Sequence, residues 1–302
     1  MGELEGEASF QFRAARGRDR LAEAVKQWGP AHPYTRLVPD LSAGVDPDDA
    51  FSGIPYEKGF YLIYHLETLV GGPAAFLPFF RAYVAEFAAR PLTADDFRAF
   101  FTAYFASRGV PAASAVDWDT WLHGLGMPPD VNTYDESMAE AAYALARRWH
   151  ATDVLGIGGS PPQPQGASPS DLKNWSSAQL VTFLDRLGEL RSLAAAHPST
   201  TRAMARLYGL DASRNAEVRC AWYLLCIKAR DPAVLPLAEA FLGEQGRMKF
   251  VRPLYRALRG WEGQGREVAT RAFERNKNKY HPVARKMCAV DLGIVPGDSG
   301  GA

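Results

Sequence analysis

The 302-residue sequence has no run of eighteen or more apolar residues, and its opening, MGELEGEASFQF, has no basic segment leading into an apolar one. A membrane-spanning helix needs the first and a secretory leader the second, so a soluble, cytoplasmic chain is expected. Cysteine is scarce. Cys220, Cys226 and Cys288 form no C-x-x-C pair and cannot all be bridged, so free thiols in a reducing compartment are the simpler reading. Surplus charge is missing too: Lys+Arg and Asp+Glu are 34 each, which gives no net field to attract nucleic acid or an anionic membrane, although a local basic patch stays open. The six histidines, at 32, 65, 123, 150, 197 and 281, are scattered. No two lie three to five residues apart on a helix, so a two-His, one-carboxylate zinc site is not expected in this chain alone. No G-x-S-x-G elbow accompanies the Ser, His and Asp residues, and GIGG at 156–159 lacks the Lys-Ser/Thr of a P-loop.

What is present points to helices. Apolar residues make up 47% of the sequence, enough for a globular chain, and the length favours two domains over one. In the stretch 46–72, DPDDAFSGIPYEKGFYLIYHLETLVGG, a polar Asp/Pro turn runs into a helix predicted to start at Pro55 and stop at Gly71. Proline suits the first helical turn because its missing N–H would be unpaired there, and Gly71-Gly72-Pro73 ends one helix and opens another. Tyr56 then sits where unpaired backbone donors and the helix dipole favour negative charge, and its phenol can donate to an oxyanion in front of the helix. The plainer alternative is one more buried aromatic, on a helix whose Phe60, Ile63, Tyr64 and Leu66 are also expected to be buried.

Further helices are predicted at 2–28 and at 73–88, the latter despite Pro78, whose helix penalty implies strong packing. Thr93 and Asp96 form a capping box, with Asp in place of Glu or Gln, ahead of a helix carrying Phe97, Phe100, Phe101, Tyr104 and Phe105. A short turn at 117–122 precedes GLGMPPDVNT (124–133), the best domain boundary. From Tyr134 onward, helices at 136–149, 176–193, 199–208, 214–229, 232–244, 247–259, 265–278 and 281–292 follow one another with short connections and no strand. That is the pattern of an α-solenoid of degenerate repeats. The segment 156–169, GIGGSPPQPQGASP, is low in complexity and expected to be mobile.

Arg247 and Lys249, in E-Q-G-R-M-K-F, follow a helix end at Gln245-Gly246. Two such cations can converge on one carboxylate, the guanidinium bidentately and the ammonium as a point charge. They can also be the start of a solvated basic patch continuing to Arg252, Arg256 and Arg259. Asp48, in D-P-D-D, suits an Asx turn.

The stretches IPYEKGF, LETLVGGP, FRAYVAEF and EQGRMKFVRPLY together resemble the leukotriene A-4 hydrolase/aminopeptidase B type of zinc aminopeptidase, of the gluzincin clan, from about Gly2 to Asp291. Only the second half of such a protein is covered. The G-x-M-E-N and H-E-x-x-H motifs of intact members, and the downstream Glu that completes the zinc ligands, do not occur in this sequence. Met1 would fall shortly after that Glu, so a chain starting inside a catalytic domain, from an incomplete gene model, is the expectation. The resemblance implies that Tyr56 is the tyrosine stabilising the oxyanion of peptide hydrolysis. It implies that Asp48 is the acid placing water in lipid-epoxide opening, and that Arg247 and Lys249 bind the free carboxylate of a tripeptide or lipid. Phe51 stands where leukotriene A-4 hydrolase has a second site-lining tyrosine; it keeps the ring and loses the hydroxyl. Arg at the first position of the Arg247/Lys249 pair favours that hydrolase over aminopeptidase B.

The sequence therefore reads as all-α: a helical remnant of a thermolysin-like catalytic lobe (1–127), then an ARM/HEAT-like α-solenoid (134–294). The expected function is that of the C-terminal portion of a zinc metallo-aminopeptidase acting on peptide or lipid carboxylates, inactive alone. Zinc belongs to the intact enzyme and none is expected for this chain, nor is a nucleic-acid or membrane partner. A non-catalytic helical-repeat binding module is the alternative.

Overall fold

The computed structural model describes residues 6–42, 50, 52–129, 132–155, 164–191 and 197–294; most of the Gly/Pro-rich segment, 156–163, lies outside them. The described residues hold thirteen α-helices and no strand. They divide into two compact units, Met1–Glu136 and Ser137–Ala302.

In the first unit α1 (Glu7–Trp28) packs on α2 (Ile54–Leu69), followed by α3 (Pro73–Glu86), α4 (Ala94–Ala106) and the short α5 (Trp118–His123). α2 begins at Ile54, one residue before the expected start, with Pro55 still in the first turn. Gly71 and Gly72 take φ of 103° and 89°, and the Gly72 N–H donates to the Glu67 carbonyl at 2.8 Å, turning the chain into Pro73. The buried stripe of α2 is Ile54, Lys58, Tyr61, Leu62 and Leu66. Of the four residues expected inside, only Leu66 is buried; Phe60 and Tyr64 are half-buried and Ile63 is 37% exposed. The helical period centres the stripe on 54, 58, 62 and 66 and leaves 60, 63 and 64 on its flanks. Phe60 and Tyr64 lie against Phe10 of α1, with ring centroids 6.0 and 5.5 Å away.

Pro78 deprives α3 of one backbone donor, yet the helix runs through it. The compensation is aromatic: Phe79 is fully buried, with the rings of Phe76, Phe97, Phe101 and Phe105 at 5.2 to 6.0 Å. At the start of α4 both halves of the capping box form, Asp96 Oδ2 accepting from the Thr93 N–H at 2.8 Å and Thr93 Oγ1 from the Asp96 N–H at 3.2 Å.

The second unit comprises α6 (Ser137–Leu155), α7 (Ser177–Leu190), α8 (Pro198–Tyr208), α9 (Ala216–Lys228), α10 (Leu235–Glu244), α11 (Met248–Arg259), α12 (Gln264–Asn276) and α13 (Pro282–Leu292). α6 packs on α7; α7, α9, α11 and α13 then pack each on the next, while α10 packs on α12. Alternate helices thus form two layers, the arrangement of an α-solenoid. One continuous apolar core, from Ala142 to Ala289, fills the space between them. Its main polar insertion is Arg202 of α8, which bridges Asp231 and Asp211 while Thr201 and Trp222 donate to the same two carboxylates at 2.7 and 2.8 Å. All three cysteines are free and buried.

Candidate functional site

The Tyr56-Glu57-Lys58-Gly59 turn sends successive side chains in different directions, as a helix must. Tyr56 is 70% exposed. Glu57 reaches back to α1, where Arg20 Nε lies 2.7 Å from its Oε1. Lys58 points inward and is fully buried, its Nζ donating to the carbonyls of Thr35 (3.0 Å), Gly124 (2.8 Å) and Gly126 (3.0 Å). Burial pulls its pKa down to about 8. The receiving loop is built for close approach: a Cβ on Gly124 would meet the Thr120 carbonyl oxygen at 2.3 Å, and Gly126 has φ 71°. The Gly126 N–H donates to Thr35 Oγ1 at 2.8 Å. The start of α2, a 3₁₀ turn at Pro33–Thr35 and the loop after α5 are thereby tied at one nitrogen. Tyr56 is displayed from a helix end fixed from beneath, where Ser52 Oγ accepts from the Ile54 N–H at 3.2 Å and the N-cap position is Gly53.

Asp48 and Phe51 lie outside the described residues. Arg247 and Lys249 belong to the second unit. Arg247 caps α11 through its backbone, and its guanidinium carbon is 5.7 Å from the centre of the Phe250 ring; the Lys249 ammonium is 5.1 Å from the same ring. Lys249 is also 2.6 Å from Glu217 Oε1 on α9, with both side chains about half exposed. The basic residues further along α11 do not share this environment: Arg252 pairs with Asp291 at 2.6 Å and Arg259 donates to the Asp291 carbonyl at 3.0 Å.

No group of three or more His, Cys, Asp or Glu side chains that could hold a metal occurs among the described residues. Three histidines are used otherwise: Nδ1 of His32, His197 and His281 accepts from the backbone N–H two residues on, each before a Pro-initiated helix. His65 stacks on Trp121 at 5.2 Å, and burial lowers its pKa. Among the described residues the donor set does not fit a zinc site.

The profile "Peptidase family M1 domain" matches residues 6–121, and "Leukotriene A4 hydrolase, C-terminal" matches residues 175–292. The chain belongs to the leukotriene A4 hydrolase/M1 aminopeptidase family. It is 39% identical to leukotriene A-4 hydrolase of Xenopus laevis over 97% of this chain, and 38% identical to leucine aminopeptidase 2 of Sclerotinia sclerotiorum over 96%. The yeast leukotriene A4 hydrolase structure with bestatin superposes with a TM-score of 0.84 at 32% identity, over 96% of this chain. The chain spans slightly under half of these relatives: 46%, 45% and 47% respectively. Among its described residues no helix is long and apolar enough to cross a membrane.

Two site residues escape sequence reasoning. Glu217 meets Lys249 from 32 positions away, and nothing local announces the pair. Lys58 did carry a signal, since 54, 58, 62 and 66 fall on one helical stripe and its other three members are Ile or Leu.

Proposed function

We propose that this chain is the part of an M1-type metallo-aminopeptidase that stabilises the reacting carbonyl oxygen and anchors the far carboxylate of the substrate. The observation that supports it most is the first turn of α2, where an exposed Tyr56 stands beside a fully buried Lys58 held by three carbonyls. As the N-terminal peptide bond of a substrate is attacked, its carbonyl oxygen gains negative charge, and a positioned phenol donates to it with little reorganisation. Arg247 and Lys249 bind the carboxylate of a short peptide over the Phe250 ring, Lys249 exchanging Glu217 for it. Residues 1–127 are the catalytic-lobe portion in this reading and 134–294 the solenoid. Zinc and its ligands belong to the intact enzyme, and no step is assigned to them here. Lipid-epoxide hydrolysis is the narrower claim, with Asp48 placing water and Phe51 lacking the hydroxyl of a second tyrosine. A cytoplasmic location is supported by the free, buried thiols.

The test is a chimera in which the 302 residues replace the matching part of the Xenopus laevis protein, assayed on tripeptides and on amino-acid anilides. Tyr56→Phe should lower kcat for both substrates by about 100- to 1000-fold. Arg247→Ala should lower kcat/KM for tripeptides by about tenfold or more, from charge-assisted bonds worth about 1.5–3 kcal/mol, and leave anilides, which have no terminal carboxylate, nearly unchanged. Full activity of Tyr56→Phe would remove the oxyanion role, and equal losses on both substrates would remove the carboxylate role of Arg247. A folded but inactive chimera would favour the reading as a non-catalytic helical binding module.

A further inference from the structure

The chain is neutral overall, but residues 247–294 hold twelve Lys and Arg against four Asp and Glu. One of those acids, Asp291, has a side chain only 7% exposed and is engaged by Arg252, whose Nε and Nη2 reach its two oxygens at 2.6 and 3.1 Å. Beside it, the last turns of α11 and α13 and the first turn of α12 enclose a shallow cleft of about 440 Å³, lined by Arg256, Arg259, Gly260, Arg266, Val290 and Asp291. Its cations are partly fixed in place. Arg256 Nη1 stands 3.9 Å from Asp291 Oδ1, and Arg259 Nη1 donates to the Asp291 carbonyl at 3.0 Å. The Arg259 guanidinium fills the space a side chain at Gly293 would need, with Nη2 2.6 Å from the position of a Cβ, and Gly293 has φ 71°. A further cation, Arg230, donates to the Gly260 carbonyl at the rim at 2.7 Å.

We propose that this cleft binds a phosphoryl group. Three arginines, Arg256, Arg259 and Arg266, line the cleft with a single carboxylate, Asp291, that Arg252 already neutralises, and a tetrahedral dianion offers enough oxygens to meet several planar forks at once, which a carboxylate does not. The surrounding cationic surplus raises the local concentration of anions. The cleft lies at the far end of α11 from Arg247 and Lys249, about 18 Å along a twelve-residue helix, so it stands apart from the carboxylate anchor proposed above.

Inorganic phosphate titrated into the chain, with sodium chloride of equal ionic strength as control, tests this by NMR of backbone amides and Arg Nε–H groups. Saturable shifts at Gly260, Arg266 and Val290 are expected, with affinity falling about tenfold or more in Arg256→Gln/Arg266→Gln at an unchanged melting temperature. Should that variant melt early, Arg266→Gln alone gives the same readout. Shifts that fail to saturate, that chloride reproduces, or that the variants keep overturn the proposal. Vesicles of phosphatidylcholine with and without phosphatidylinositol phosphate identify the source. Co-sedimentation with the second kind only, lost in the variant, assigns a lipid headgroup, whereas phosphate binding without co-sedimentation assigns a free phosphoryl ligand.

Discussion

Lys58 has three N–H donors and meets three carbonyls, an arrangement that suits the ammonium and would leave one acceptor bare around a neutral amine. Burial nevertheless lowers its pKa to about 8, so the proton leaves the folded chain above pH 8 while the unfolded chain, at the ordinary value of 10.5, still holds it. Between those two values the unfolded state binds more protons, so this residue makes stability rise with pH, by up to about 3 kcal/mol across the window. Lys58→Met removes the titration and strands the carbonyls of Thr35, Gly124 and Gly126. It should cost about 2–4 kcal/mol at pH 7, from desolvated acceptors left unpaired. Hydrogen exchange of α2 amides, measured for both proteins from pH 7 to 10 and corrected for intrinsic rates, is the check. Parallel stability curves would refute the linkage. The acceptors lie 23, 66 and 68 positions from Lys58, which is why nothing in the local sequence shows what satisfies this lysine.

Helices were the most legible elements, because their punctuation is local. Pro55, Gly71-Gly72-Pro73 and Thr93/Asp96 each act where the sequence places them, and every helix expected after Tyr134 is present, with ends displaced by a few residues. The largest displacement is α6, which continues to Leu155 instead of stopping near 149. The His-Pro pairs at 32–33, 197–198 and 281–282 are also local signals, and each opens a helix with the ring nitrogen as cap. Faces were less legible than ends, since which flank of α2 meets α1 depends on a partner far along the chain. For α4 the cap itself can be weighed: its two reciprocal bonds are exposed, so Thr93→Ala should lower stability by only about 1 kcal/mol. Thermal melting of the first unit's signal would report it. A loss several times larger would mean that Thr93 does more than close the box.

At the scale of the whole molecule, composition hides more than it reveals. Equal totals of acid and base argue against an anionic partner only if charge is evenly spread, and here the last three helices and their connections carry the cationic excess. Metal binding is the converse case, where what decides is whether donors far apart in the sequence converge at one point. Zinc needs three or four donors converging within about 2.0–2.3 Å of one point, and the described residues supply no such group. His32, His197 and His281 each commit Nδ1 to a backbone N–H, and His65 lies flat against Trp121. The three thiols, the other strong zinc donors, are buried, and burial raises the pKa of Cys220 to about 12 and of Cys288 to about 11, which disfavours the thiolate a metal would require. The chain by itself, dialysed against zinc and then against buffer, should therefore retain well under one metal per molecule, and should not hydrolyse amino-acid anilides. Elemental analysis decides it: one zinc held tightly per chain would mean that histidines far apart in sequence converge after all, and the reading of this chain as the metal-free portion of its family's enzyme would fail with it.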